Sequence, residues 1–374
     1  MVKLNKICRP KQWKTISSSN LLEYGYPVYG ANGKIGFYSE YTHESPALMI
    51  TCRGATCGNV NISEPKSYIN GNAMVLDDLD TSSVDLNYLY YFFKKRGFND
   101  VISGSAQPQI TGQGLTKVEI PLPPLEEQKR IAAILDKADV IRRKRQQAIK
   151  LADDFLRAVF LDMFGDPVTN PKGWEVKPLS YGIDSITSGW SAKGEGYPCK
   201  EGELGVLKIS AVTSGRFNSQ ENKFVHGDDI PDGKRLVFPK KGDLLFSRAN
   251  TRELVAATCI VQDDCENAFL PDKLWNIKTD SSVLLPEFLN CLIWEPKFKE
   301  TLTSQATGTS GSMLNISKGK FEATDAIFPS ISIQYRFRAV YWKMQKTIIS
   351  LNHFLDESEY SFSSLSQRAF SGHL

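Results

Sequence analysis

The sequence predicts an α+β molecule: two globular parts separated by an antiparallel pair of long coiled-coil-like helices, related by a pseudo-twofold internal repeat. Three observations predict it. Pro123, Leu125, Gln128, Arg130, Ile131, Ala133 and Ile134 follow Ile120, and Pro329, Ile331, Gln334, Arg336, Phe337, Ala339 and Val340 follow Ala326 with the same spacing. Pro10-Lys11-Gln12-Trp13 is echoed by Pro171-Lys172-Gly173-Trp174. Each repeat runs from a globular pattern into a long apolar stripe, and a repeat of this kind marks a duplicated unit.

At 374 residues the chain exceeds one ordinary core and fits two domains with connecting elements. Its 41% hydrophobic and 23% charged content is that of a soluble globular protein. No apolar run approaches the roughly 20 residues of a membrane helix, and Met1 to Trp13 has no apolar signal core. We therefore expect a cytoplasmic protein with no membrane association. Seven cysteines occur without a Cys-x-x-Cys pair, the nearest being Cys52/Cys57 and Cys259/Cys265, which reads as reduced thiols. The four histidines are scattered, so no zinc site is expected. A net charge of +3 means that any nucleic-acid surface must come from local clustering.

Residues 1–124 read as the first globular part. Tyr26-Pro-Val-Tyr-Gly-Ala-Asn-Gly33 carries turn chemistry between short strands, Ala47 to Thr51 and Asn72 to Leu76 read as buried strands, and Leu86 to Lys95 as a helix with Asp85 at its start. Residues 125–165 form the central helix. Written as a heptad, its inward positions are Ile131, Ile134, Ala138, Ile141, Arg145, Ala148, Ala152, Phe155 and Val159. About 38 residues give a rod of roughly 57 Å. Gly165-Asp-Pro167 and Asn170-Pro-Lys-Gly173 end it. Residues 166–325 form the second part, with strands expected at Val206 to Ile209, Asp243 to Ser247 and Val255 to Val261, a helix at Pro286 to Trp294 and a polar loop at Thr307 to Ser312. Residues 326–374 carry the second stripe: Phe337, Val340, Met344, Ile348, Leu351, Leu355, Phe362 and Leu365. Two such helices bury their stripes against each other, antiparallel if the units obey a twofold, so that the globular parts become reading heads on a ruler.

Ile120-Pro-Leu-Pro-Pro-Leu-Glu-Glu-Gln-Lys-Arg-Ile-Ala-Ala-Ile-Leu-Asp136 resembles the start of the central helix in the specificity subunits of type I restriction–modification systems. Tyr26 to Gly33 and Gly104-Ser-Ala-Gln-Pro-Gln-Ile-Thr111 resemble recurring pieces of that family's target-recognition domains. In the second half, Pro329-Ser-Ile-Ser-Ile-Gln334 departs from the family wording in lacking the double proline and the acidic pair. The resemblance implies two target-recognition domains, each reading half of a bipartite sequence in double-stranded DNA. It implies two modification (methyltransferase) subunits as partners, and restriction or motor subunits in the full complex. This chain would hold no cofactor; its partners would use S-adenosylmethionine, ATP and Mg.

The residues themselves suggest no catalysis. Asn170-Pro171-Lys172-Gly173 lacks the second proline and the aromatic that stack a flipped base, and reads as a turn. There is no Gly-rich loop after a strand and no Gly-x-x-x-x-Gly-Lys-Ser/Thr. Arg53 and Arg248 each follow a strand-like run; because both halves share them, phosphate positioning or a structural hydrogen bond suits them better than base reading. Base readers should differ between halves. Candidates are Lys34, Lys66, Tyr68, Gln107 and Gln109 in the first, and Arg216, Asn218, Arg235, Asn250 and Arg252 in the second. Arg142, Arg143, Lys144 and Arg145 lie on the central helix as a solvated face or a partner contact. Arg145, on an inward position, should fix register against a facing carboxylate or carbonyl. The sequence thus supports a non-catalytic DNA-recognition subunit. The alternatives are a related two-headed methylation system without a motor subunit, a solitary DNA methyltransferase, or a protein-only helical scaffold.

Overall fold

The computed structural model describes residues 1–104, 107–308 and 313–374. Part of Gly104 to Thr111 and most of the Thr307 to Ser312 loop therefore lie outside the described residues. The chain divides into two compact units: Met1–Ala148 with Leu351–Leu374, and Ile149–Ser350. Each unit takes part of both long helices, which span Leu125–Phe164 and Ile331–Phe370.

In the first unit, a four-stranded antiparallel sheet runs in the order Arg9–Gln12, Ala73–Asp77, Leu48–Thr51 and Val60–Ile62. Leu48–Thr51, flanked on both sides, is buried along its whole length, which is why it reads as a continuous apolar run. A smaller sheet pairs Tyr26–Gly30 antiparallel with Gly33–Tyr38 and parallel with Tyr68–Ile69. The hairpin turns at Ala31-Asn32, and Gly33 closes it at φ +105°, a conformation that favours glycine. Val2–Lys3 pairs with Glu119–Ile120, bringing the two ends of the globular part together before the long helix begins.

The second unit repeats this topology strand for strand. Ile183–Ser188, Leu274–Thr279, Leu244–Ser247 and Thr258–Ile260 form the four-stranded sheet. Leu204–Leu207 pairs antiparallel with Asn222–Val225 and parallel with Ala268–Phe269. Glu175–Pro178 pairs with Asp325–Phe328 as the closing ladder. The expected strand Val255 to Val261 shrinks to Thr258–Ile260, because Val255 closes a turn by donating to Thr251. The expected Val206 to Ile209 starts earlier, at Leu204, and ends at Leu207, since Ile209 is already helical.

A short helix lies beside the sheet in each unit. Leu86–Arg96 is capped by Asp85, whose carboxylate accepts from Tyr88 N at 2.8 Å. Pro286–Trp294 starts instead with proline, whose missing N–H costs nothing at the first position. Both helices are held to a long helix by one buried amide. Gln128 Nε2 donates to Ser83 O at 2.9 Å and Pro123 O at 2.8 Å, and its Oε1 accepts from Asp85 N at 3.0 Å. Gln334 Nε2 donates to Val283 O at 2.9 Å and Pro329 O at 2.8 Å, and its Oε1 accepts from Leu285 N at 2.9 Å. Both glutamines are 0% exposed.

Within each unit the long helices run antiparallel. In the first, Arg130 reaches Leu374 O and Arg145 donates to Phe354 O. In the second, Phe160 and Phe164 meet Phe337 with ring centroids 5.5 and 5.4 Å apart. The second stripe is buried or half-buried at every expected position. The first stripe departs from its expected phase. Ile141 is 49% and Phe155 53% exposed, while Leu135, Asp139, Ile149, Leu156, Phe160 and Phe164 are buried. In the second unit the cause is packing on two partners. Leu156, Phe160 and Phe164 share one core with Phe288 of the short helix and Phe337 of the second long helix, so the buried face is wider than a two-helix seam. Ala152, Leu156, Phe160 and Phe164 advance in fours, a step that a strict heptad cannot follow.

Replacing Gln128 or Gln334 by leucine leaves one N–H and two carbonyls buried without partners, at about 1–3 kcal/mol each. We expect amide exchange in the adjoining short helix to accelerate by an amount worth on the order of 3 kcal/mol, with the short helix of the other unit unchanged. Native-state hydrogen exchange resolves the two helices separately. Protection that is equal to wild type would show that the amide is not what holds them.

Candidate nucleic-acid interface

Polar side chains of the first unit converge at the end of strand Leu48–Thr51. Thr51 Oγ1 donates to Ala31 O, and Thr56 Oγ1 donates to Asn32 Oδ1, tying the hairpin tip to the loop that carries Arg53. Gly54 N donates to Pro108 O at 3.2 Å, and Ile110 N to Cys52 O at 3.0 Å, so the Gln107–Gln109 segment joins the same cluster. Arg53, Gln107 and Gln109 are exposed there, and Arg53 has no ion pair among the described residues. An unneutralised guanidinium beside two amides is a surface that can hold a phosphate and reach base edges.

Lys34 sits on the same hairpin. Its ammonium is 3.5 Å from Glu64 and lies over the Phe37 ring at 4.6 Å. Lys66 is elsewhere, paired with Glu44 at 3.6 Å. Hydrogen bonding from Tyr41, joined by Lys66, holds the Glu44 carboxyl below its usual range. Tyr68 corrects the sequence reading. It is 8% exposed, its hydroxyl donates to Lys14 O at 2.9 Å, and its ring packs edge-on to Tyr38. Burial raises its phenol above the ordinary value. It supports the sheet and offers no face to a base.

The second unit builds the same place differently. Arg248 Nε donates to Asp272 O at 2.9 Å, and Nη1 donates to Asn315 Oδ1 at 2.9 Å. Asp272 Oδ2 stands 3.6 Å from Nη2. Ala249–Asn250 pairs with Leu314–Asn315, and Asn250 Oδ1 accepts from Thr251 N at 2.8 Å. Arg252 follows on the surface without an ion pair among the described residues. Arg248, Lys273, Thr307, Met313 and Asn315 line a shallow recess. Sequence reasoning missed Lys273 and Asn315. The signal for Asn315 was available: Gln109-Ile110-Thr111 recurs as Asn315-Ile316-Ser317, and both hydroxyls cap a short helix, Thr111 accepting from Gly114 N and Ser317 from Lys320 N.

The other second-half candidates do not join this cluster. Arg216 Nη2 donates to both oxygens of Asp153 at 2.8 and 2.7 Å, so its charge braces the turn against the long helix. Asn218 is exposed and its Oδ1 accepts from Gln220 N at 3.0 Å. Arg235 is exposed, without an ion pair among the described residues. On the central helix, Arg142 and Arg143 bind the buried Asp139 at 2.7 and 3.0 Å, an acid that the sequence reading passed over. Arg145 donates to Phe354 O, while Lys144 is exposed. Among the described residues no His, Cys, Asp or Glu group is placed to hold a metal, and no helix is long and apolar enough to cross a membrane. All seven cysteines are free thiols.

Comparison with known proteins follows the same lines. Residues 1–151 match the family described as the type I restriction modification DNA specificity domain. The type I restriction enzyme EcoprrI specificity subunit of Escherichia coli is 31% identical over 143 residues, which is 37% of this chain and 35% of that protein. The MjaIX specificity subunit of Methanocaldococcus jannaschii is 27% identical over 260 residues, 63% of this chain and 59% of that one. The chain thus spans between about a third and three-fifths of the length of these curated relatives. In fold, the crystal structure of a type I restriction-modification S subunit from M. genitalium aligns with a TM-score of 0.65 at 14% identity, covering 99% of this chain and 95% of that one. The resemblance read from the sequence is borne out as a likeness: residues 1–151 match the type I restriction modification DNA specificity domain, further stretches of the chain are similar to type I specificity subunits, and the fold is that of a solved S subunit.

Proposed function

We propose that the chain is the non-catalytic DNA sequence-recognition subunit of a type I restriction–modification complex. Each globular part reads one half of a bipartite target. The long helices set the spacer and dock two modification subunits, and restriction subunits join the full assembly in the cytoplasm. One observation carries this reading. The same strand end, bearing Arg53 in one unit and Arg248 in the other, recurs on two copies of one fold, and each copy is clamped to helices that run unbroken through both units. Around that shared end the neighbouring side chains differ, which is what two different half-sites require. The experiment is to map methylated adenines in cells carrying this chain with its modification partner and in cells lacking it. A bipartite motif that disappears with the chain supports the reading; an unchanged methylation pattern contradicts it.

Two outcomes follow. In the assembled complex, Arg53→Ala should weaken binding to target and non-target DNA by similar factors, and make the log–log salt dependence shallower by about one. Binding measured across a salt series checks this; a loss confined to one target base would make Arg53 a base reader. Four residues inserted between Gln146 and Gln147 add about 6 Å of helix, close to two base steps of roughly 3.4 Å. Methylation mapping of that variant should find a longer spacer between unchanged half-sites. An active complex with the original spacer would show that helix length does not set it.

A further inference from the structure

The second unit contains a cavity of about 310 Å³ that has no role in the reading above. Its walls are Leu156 and Phe160 of the first long helix, Tyr341 of the second, and Asn290, Cys291 and Trp294 of the short helix. The internal repeat explains why it is open. Gln128 meets Ser83 and Asp85 where Gln334 meets Val283 and Leu285, so Tyr90-Tyr91 of the first unit corresponds to Asn290-Cys291 of the second. In the first unit Tyr91 fills this position, donating to Asp136 at 2.6 Å and packing on Phe362. Cys291 is far smaller and leaves the space.

The cavity is polar in a specific way. Asn290 is 6% exposed, yet its Oδ1 has no hydrogen-bond partner among the described residues. Arg216 Nε is buried without a partner, although its Nη2 binds Asp153. Arg157 donates through Nε and Nη2 to the buried Glu295, at 3.2 and 3.0 Å. Asp154, also on the wall, has no ion pair among the described residues. The space thus offers one waiting acceptor, one waiting N–H of a guanidinium already paired with Asp153 on the same wall, an exposed Asp154 carboxylate at the rim and an aromatic lining. Leaving Asn290 Oδ1 and Arg216 Nε buried and unmet is costly, and a ligand that meets them recovers that cost, whereas the exposed Asp154 contributes only its charge at the rim.

We propose that this cavity is a binding site for a small zwitterion of amino-acid size with an apolar or aromatic side chain. Its carboxylate accepts from Arg216 Nε, its ammonium donates to Asn290 Oδ1 and faces Asp154, and its side chain packs between Phe160 and Trp294. A cation alone leaves Arg216 Nε unmet, and an anion alone leaves Asn290 Oδ1 unmet. The cavity volume is at the lower end of small-molecule sites, which suits a ligand of this size.

The test uses the full chain and calorimetric titration with L-phenylalanine and L-tryptophan, beside phenethylamine and 3-phenylpropionate. We expect an amino acid to bind at least about tenfold more tightly than either single-charge analogue. Cys291→Tyr, which copies the filling seen in the first unit, should abolish binding, and Asp154→Asn should weaken it about tenfold. Retained amide-exchange protection in Pro286–Trp294 shows that each variant is folded. DNA recognition by Cys291→Tyr in the assembled complex should stay unchanged, which separates this site from the reading function. Absence of amino-acid binding to the wild-type chain, or equal binding by folded Cys291→Tyr, overturns the proposal.

Discussion

The buried side-chain amide of Gln128, and of Gln334 in its repeat, is the interaction on which the rest of the structure depends. Each amide uses both N–H donors and its carbonyl, at 2.8–3.0 Å, to satisfy three backbone groups that the fold has removed from water. Two of those groups belong to the turn before the short helix, and the third belongs to the proline-containing approach to the long helix. A glutamate would bring a charge and no donors; an apolar side chain would leave the backbone unmet. The amide therefore does what neither hydrophobic contact nor an ion pair can do: it fixes direction. It orients the long helix against the short helix and, through the short helix, against the sheet whose strand end carries the arginine.

From that shared frame the two units diverge where divergence is chemically useful. Arg53 is exposed and without an ion pair among the described residues, while Arg248 is bound on three sides by Asp272 and Asn315. A free guanidinium can answer to any phosphate; a tethered one presents a fixed set of neighbours. The short helices diverge as well, with Tyr90-Tyr91 filling the space that Asn290-Cys291 leaves open. The duplicated residues are those that hold the backbone, and the altered ones lie on surfaces or cavities that the backbone frames.

The helix starts were legible in the sequence because each is marked by local chemistry: Asp85 before an aromatic-rich run, Pro286, and the prolines preceding Leu125 and Ile331. The spacing of Gln128 and Gln334 was legible too, although it showed a repeat and not the bond geometry behind it. What the sequence hid were partners supplied from far along the chain. The phase of the central helix failed at Phe155 because Phe288 and Phe337 recruit Leu156 and Phe160 instead. Tyr68 was a candidate base reader, but its ring is buried and its hydroxyl donates to the carbonyl of Lys14. Arg216 resembled a base reader, but Asp153 lies 63 residues away and captures it. Asp139 was overlooked since an acid just before a basic run looks solvated, whereas burial on the helix face makes Arg142 and Arg143 its counter-charges.

The central claim is that two copies of one reading fold, differing only in what they frame, each specify half of a target. It is tested most directly by making the copies identical. In a chain whose residues 1–124 are replaced by the repeat-aligned residues of the second globular part, with the modification partner supplied, methylation mapping should reveal two identical half-sites in inverted orientation. A methylated target that keeps the original, unlike half-sites would contradict the account.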